Sequence, residues 1–323
     1  MVQRKQRATI LDVAALAGVH AATVSRTINV PEKVAPETRR RVEAAVRDLG
    51  FVPNRAARGL ITGRTGNVAV IVPDITNPHF AALVRSIERS ARGSDLQVLL
   101  VDTGEHPDEE VMAVRSLYRD VDGFIIVSPR RLHRQLAALG SVPAVFVNRP
   151  VPEHASVLLR TAPAVVDALE HLAGLGHQKL AYLGGPGGSW AAGERRRAVR
   201  RTSRTARLEI VELAVAEPTF EAASAVVPRV LASAASAVVA FNDQMALGVM
   251  AGLTNRGISV PDDISVVGFD DVPMAAMVAP PLTTISLPTS DVGAVVVALL
   301  GQGPAKRDLF GELVVRQSTA RAT

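Results

Sequence analysis

Apolar residues recur at helical spacing near the start of the chain. Ile10, Val13, Ala14 and Ala17 share one face, Gly18 supplies the backbone freedom of a helix-ending turn, and Val24 and Ile28 return on a second short helix. The stretch TILDVAALAGVHAATVSRTIN at 9–29 therefore predicts a helix-turn-helix, and a third helical segment follows it. Beyond residue 64 short apolar runs alternate with amphipathic stretches, the pattern of a parallel α/β body. Candidate strands lie at 67–73, 96–102, 123–128 and 144–148, with helices near 79–92, 108–119 and 131–139 between them. A second set takes 179–185, 208–213, 236–242 and 264–269, with helices near 190–205, 220–233 and 243–256. Two successive half-sheets predict two lobes with a cleft, because open parallel sheets take ligands beyond the carboxyl ends of their strands.

Charge sharpens the reading of the first segment. Residues 1–64 hold twelve Lys and Arg against five Asp and Glu, whereas the remainder holds 24 against 26. Arg4, Lys5 and Arg7 precede the first helix and Arg39, Arg40, Arg41 and Arg47 lie in the third, as expected where phosphates are neutralised and counterions released. The second helix exposes Thr23, Ser25 and Arg26, whose donors and acceptors can meet base edges in a major groove. A plain helical hairpin with a solvated polar face has similar spacing; its cationic surroundings favour duplex DNA as the partner.

Composition narrows the rest. With 323 residues, 48% of them hydrophobic, the chain can bury a substantial core and has room for two or three domains. There is no cysteine, and the seven histidines include no HExxH pair, so neither a metal nor another cofactor is expected. No apolar run approaches the roughly 20 residues that cross a bilayer, and MVQRKQRATI lacks the apolar segment of a secretory signal; the expected location is the cytoplasm, away from membranes. The loop GGPGG at 184–188 matches neither GxGxxG nor GxxxxGK[ST], and no nucleophile with a partner base is recognisable, so no catalysis is expected.

Polar residues gather at the ends of the predicted strands: Asp74 and Asn77, Asn148 and Arg149, then Asn242, Asp243, Asp270 and Asp271. Short carboxylates, amides and Arg exchange paired hydrogen bonds with vicinal hydroxyls, and Phe80 or Phe220 can stack on a sugar ring, which suggests a polyol ligand. Strand ends are equally where Asp and Asn cap the following helix, and that scaffold role is favoured for Asp243 and Asp271.

The runs DVAALAGVHAATVSRTIN and VAPETRRRVEAAVRDLGFVPNRAARGL, followed by IVPDITNPHF, LGHQKLAYLGGP, AFNDQMALGV and DISVVGFDDVP, closely resemble the lactose-repressor/galactose-repressor (LacI/GalR) transcription factors. The resemblance covers nearly the whole chain. It implies an all-α helix-turn-helix headpiece at 1–52, a hinge at 53–64, and at 65–323 a periplasmic-binding-protein-like core of two doubly wound parallel-sheet lobes. The first lobe would take about 65–161 and 285–300, the second about 162–284 and 301–323. It further implies a homodimeric repressor that holds double-stranded operator DNA and responds to a small effector, often a sugar. Operator contacts would come from Thr9, His20, Ala21, Ala22, Thr23, Ser25, Arg26, Asn29 and Thr38. Effector contacts would come from Asp74, Asn77, Phe80, Asn148, Arg149, Arg195, Phe220, Asn242 and Asp270. Hinge contacts would come from Asn54, Arg55, Ala57, Arg58 and Leu60. PNRAARGL is too short to persist as an isolated helix, so the hinge would fold on DNA, with Leu60 as the minor-groove wedge. The chain ends in RQSTARAT, without leucine heptads for a tetramerising bundle.

Several positions depart from that family's pattern. His20 and Ala35 replace helix-capping serines, each such cap being worth about 1 kcal/mol. Ala21 and Ala22 restrict base reading at the start of the second helix to apolar contact. Arg160 and Thr161 stand where relatives show Asp and Asn, Ala164 and Ala198 replace glycines, and Asn148 replaces an Asp. These changes surround the cleft, and they leave the effector's identity and the sign of its effect on DNA binding open.

Overall fold

The computed structural model describes residues 8–52, 63–130 and 139–322. The chain divides into two compact units, Met1–Thr65 and Gly66–Thr323. In the first, α1 (Ile10–Ala17), α2 (Ala21–Asn29) and α3 (Pro36–Leu49) enclose a small core of Val13, Ala14, Ala17, Val24, Val42 and Ala45, with Ile10 and Ile28 at its margin. Each boundary has a local cause. Thr9 and Asp12 form a reciprocal capping box at the start of α1, and Gly18 at φ +63° ends it in the left-handed conformation. His20 and Ala35 give their helices no side-chain cap, so α2 and α3 depend on core packing for their starts. The hinge residues Asn54, Arg55, Ala57, Arg58 and Leu60, and most of the helix expected at 131–139, lie outside the described residues.

In the second unit the first lobe runs through β1 (Asn67–Val72), α4 (Pro78–Gly93), β2 (Gln97–Asp102), α5 (Pro107–Leu117), β3 (Gly123–Val127), β4 (Ala144–Val147) and β5 (Ala155–Arg160). The second lobe continues with α6 (Ala162–Gly174), β6 (Lys179–Leu183), α7 (Trp190–Thr205), β7 (Glu209–Leu213), α8 (Phe220–Ala225), α9 (Val227–Ala232), β8 (Ala237–Ala240), α10 (Asp243–Thr254), β9 (Ser265–Val267) and α11 (Pro273–Met277). The chain closes with β10 (Thr284–Ser286), α12 (Thr289–Leu299), β11 (Lys306–Phe310) and β12 (Glu312–Val314). Two parallel sheets result, in the orders β11-β5-β4-β3-β1-β2 and β7-β6-β8-β9, while β10 and β12 pair antiparallel. Both parallel sheets are doubly wound. Val68, Val70 and Val72 face one apolar layer of the first sheet, and Ala69 and Ile71 face the other.

Three differences from the sequence-based expectation have physical reasons. The helix expected at 220–233 is two helices, since Pro228 cannot continue the backbone ladder of its predecessor. Strand β5 was not anticipated; it is buried on both faces and so shows no alternation. Strand β11, expected in the second lobe, pairs in parallel with β5 and extends the first lobe's sheet. Its composition KRDLF is largely exposed, as an edge strand's can be, and hides it from a search for apolar runs.

Helices α4 and α12 approach closely over the first sheet. The Ser86 hydroxyl accepts from the Gly293 backbone at 3.0 Å and donates to the Ser290 carbonyl at 2.7 Å. A Cβ at position 293 would stand closer than 3.0 Å to the Ser86 backbone. Gly293→Ala should therefore force the helices apart and destabilise the core by about 1–3 kcal/mol. A urea unfolding midpoint unchanged from the parent would contradict this contact.

Candidate functional site

At the carboxyl ends of the core strands the backbone is strained at five non-glycine residues: Glu105 (φ +62°) after β2, Ser128 (φ +48°) after β3, Asn148 (φ +55°) after β4, and Asp270 (φ +101°) and Asp271 (φ +53°) after β9. Such conformations persist only where surroundings over-determine them, and they mark functional sites. The surroundings here belong to both lobes. Arg195, on the buried face of α7, donates to the Phe241 carbonyl and pairs with Asp270 at 3.2 Å, both side chains being about 95% buried. Its guanidinium lies between two rings, 4.8 Å from the centre of Phe241 and 4.3 Å from Phe269. Gly185 permits this arrangement, because a Cβ there would overlap the Phe241 ring. The GGPGG loop thus serves close packing against the aromatic that flanks Arg195.

Asp270 also faces His79, which enters from α4 in the first lobe with Nδ1 3.8 Å from the carboxylate. Burial lowers the His79 pKa from 6.5; Asp270 pulls upward and Arg195 reinforces the lowering. The imidazole is therefore neutral at pH 7, and its Nδ1 has no partner. A second tie between lobes lies at Arg160, at the end of β5. Its Nη1 donates to Glu194 on α7 at 3.0 Å, its Nε stands 3.2 Å from Asp308 on β11, and its guanidinium lies 5.3 Å from the Trp190 ring centre.

The unsatisfied groups are concentrated along these ties. His79 Nδ1, Arg195 Nε, Glu194 Oε2 and Thr161 Oγ1 are buried without hydrogen-bond partners. Leaving a buried polar group unpaired costs about 1–3 kcal/mol, more if charged, and all four belong to residues that form these ties or adjoin them in sequence. Two others, Arg39 Nε in the headpiece, which stands 3.7 Å from Glu43, and the Tyr182 hydroxyl, also lack hydrogen-bond partners.

The residues expected at the effector site divide into two groups. Asn77 caps α4, accepting from the His79 amide at 3.0 Å, and Asn148 accepts from the Leu159 amide at 3.0 Å. Asn242 caps α10 through Met245 and donates to the Pro218 carbonyl at 3.0 Å. These amides are spent on backbone. Phe80 is buried with Leu83 and Ile87 in the first lobe's core, and Asp74 closes a turn onto Thr76. Arg195 and Asp270 pair with each other opposite His79, while Arg149 is half-buried after β4 and Phe220, partly exposed, opens α8. His79, Arg160, Thr161 and Glu194 complete the ties and were not among the expected contacts. Asp243 and Asp271 are scaffold: Asp243 accepts from Val272 and Thr284, with burial pushing its pKa up to about 8, and Asp271 pairs with Arg316 at 2.6 Å.

In the headpiece, α2 leaves His20, Ala22, Arg26 and Asn29 exposed and Ala21, Thr23 and Ser25 half-buried. Asn29 donates to the Ser25 carbonyl at 2.9 Å, and Thr9 is engaged in its capping box. Thr38 is half-buried in the first turn of α3. No His, Asp and Glu cluster suited to a metal occurs among the described residues, and no helix among them is long and apolar enough to cross a membrane.

Comparison with known proteins gives the class. Residues 9–54 match the model of bacterial regulatory proteins of the lacI family, and residues 169–319 match a periplasmic binding protein-like domain. The transcriptional regulator DegA of Bacillus subtilis is 32% identical over 97% of this chain and 98% of its own length. CytR of Escherichia coli, a transcriptional repressor, is 31% identical over 99% of both. The lac repressor dimer bound to operator and the anti-inducer ONPF superposes with a TM-score of 0.88 at 29% identity, covering 98% of this chain and all of that one. A CelR–cellobiose complex gives 0.71 at 30% identity, covering 97% and 100%. The chain belongs to the lacI family of DNA-binding transcription regulators.

The depressed His79 pKa fixes the sign of a pH effect. The unfolded chain titrates His79 near 6.5 and the folded chain only at lower pH, so its contribution to stability is full above 6.5 and is lost as pH falls through the window below. His154, His171 and His177, also lowered chiefly by burial, act in the same direction and supply a background. His79→Gln should reduce the fall in Tm between about pH 7.5 and 5.5 relative to the parent. An undiminished fall would show that His79 is not held neutral.

Proposed function

We propose that this chain is a cytoplasmic repressor that binds operator DNA as a homodimer and adjusts that binding to a small sugar-like effector held between the core lobes, without catalysis. The observation that carries the reading is the set of unpaired buried groups contributed by both lobes: His79 and Thr161 from the first sheet's side, Glu194 and Arg195 from α7. Donors and acceptors so mixed suit a ligand with several hydroxyls. The relatives agree, since one is a complex with cellobiose and another is bound to operator.

In this reading α2 lies in the major groove with Thr23, Ser25 and Arg26 at base edges and His20, Ala21 and Ala22 at its entry. Thr9, Asn29 and Thr38 face the backbone. The hinge residues Asn54, Arg55, Ala57, Arg58 and Leu60 enter the minor groove between half-sites. In the core, Arg195 and Asp270 orient the effector, assisted by Arg149 and Phe220. Asn77, Asn148 and Asn242 hold the strand ends that surround it, with Asp74 and Phe80 supporting the first-lobe wall. An effector that changes the distance between His79 and Asp270 changes the angle between lobes, and thereby the geometry offered to paired hinges.

The test begins with duplexes selected from the source genome by the full-length protein. One class should bind tightly, and Arg26→Ala should weaken it about tenfold, the worth of a good base contact. A saturating effector should shift the affinity of the parent but not of Arg195→Ala. Equal weak binding to every duplex, unaltered by Arg26→Ala, would overturn the reading.

A further inference from the structure

Arg195 pairs with Asp270, and Arg160 serves both Glu194 and Asp308. Lys306 reaches only the Asp308 side of that triad, at 3.7 Å on the exposed edge strand. His79 contributes no charge at neutral pH. Glu194 is the carboxylate left short of a donor. One of its oxygens holds Arg160; the other, Oε2, is buried with nothing donating to it, in a residue only 8% exposed. An unpaired carboxylate oxygen cut off from water is among the costliest groups a fold can hold, and a charged donor is its best remedy.

We infer that the effector presents a protonated amine to Glu194, which makes it an amino sugar or a similarly aminated polyol. The inference rests on the sugar reading above and narrows it. The amine would dock on Glu194 Oε2 and give that oxygen a charged donor, while hydroxyls take Thr161 Oγ1, His79 Nδ1 and Arg195 Nε. Arg160 is a positioning residue: it presents Glu194 with one oxygen engaged and the other directed to the ligand. A carboxylate-bearing sugar would set a like charge against Glu194, and a neutral one leaves Glu194 without a charged donor.

The test compares thermal shifts of the full-length protein with glucosamine, N-acetylglucosamine, glucose and glucuronate, and with the β-1,4 disaccharides of glucosamine and of glucose. A ligand that binds the folded state raises Tm by mass action. The aminated member of a matched pair should give at least twice the shift of its hydroxylated counterpart, acetylation should remove the advantage, and glucuronate should give none. Glu194→Gln, which leaves Arg160 its Asp308 partner, should abolish the difference between paired sugars. Equal shifts from glucose and glucosamine, or a larger shift from glucuronate, would overturn the inference while leaving a sugar effector standing. Absence of any shift across the panel would remove both. The panel on the parent protein decides the matter even where the variant folds poorly.

Discussion

A guanidinium removed from water must be satisfied on every side, and the core of this protein is arranged around one such group. Arg195 is nearly sealed between Phe241 and Phe269, with the Phe241 carbonyl and the Asp270 carboxylate taking two of its nitrogens. A buried ion pair contributes little net stability once desolvation is counted, but removing one partner strands the other. That asymmetry accounts for the strained backbone at Asp270 and for the glycine at 185, whose missing Cβ makes room for a ring. The pair is better understood as a positioned recognition element than as a contributor to folding free energy.

The same group links the lobes. Asp270 faces His79 across the cleft, and the neighbour of Arg195 in sequence, Glu194, meets Arg160. One turn of α7 therefore communicates with two elements of the first lobe at once. On the proposed function, a ligand bound among these atoms would shift the lobes only by contacting their alternative arrangements differently.

Much of this was legible in the sequence, and the limits of legibility are physical. The helix-turn-helix and most core strands follow from apolar spacing and from Gly18, since those signals are local. Asp270 stands out from its place at the end of a predicted strand, whereas Arg195 is reached only through resemblance in motif. Asn77, Asn148 and Asn242 read equally as ligand contacts and as caps, and only coordinates show their side chains engaged with backbone. His79 follows a proline at a helix start and carries no sequence sign of its burial opposite Asp270. Arg160 and Glu194 are 34 residues apart and noticeable singly as a departure and a charged helix residue; their contact depends on the closeness of two lobes. The edge strand β11 escaped because charged exposed residues do not resemble a strand of a buried parallel sheet.

The central claim is that a ligand occupies the atoms this fold leaves unpaired at the junction of its lobes. A high-resolution crystal structure of the full-length protein with its effector tests that directly. The account predicts ligand atoms about 2.7–3.2 Å from Arg195 Nε, Glu194 Oε2, His79 Nδ1 and Thr161 Oγ1, with the Arg195–Asp270 pair intact. An effector seated elsewhere, with those four groups still unpartnered or satisfied only by protein, would contradict it.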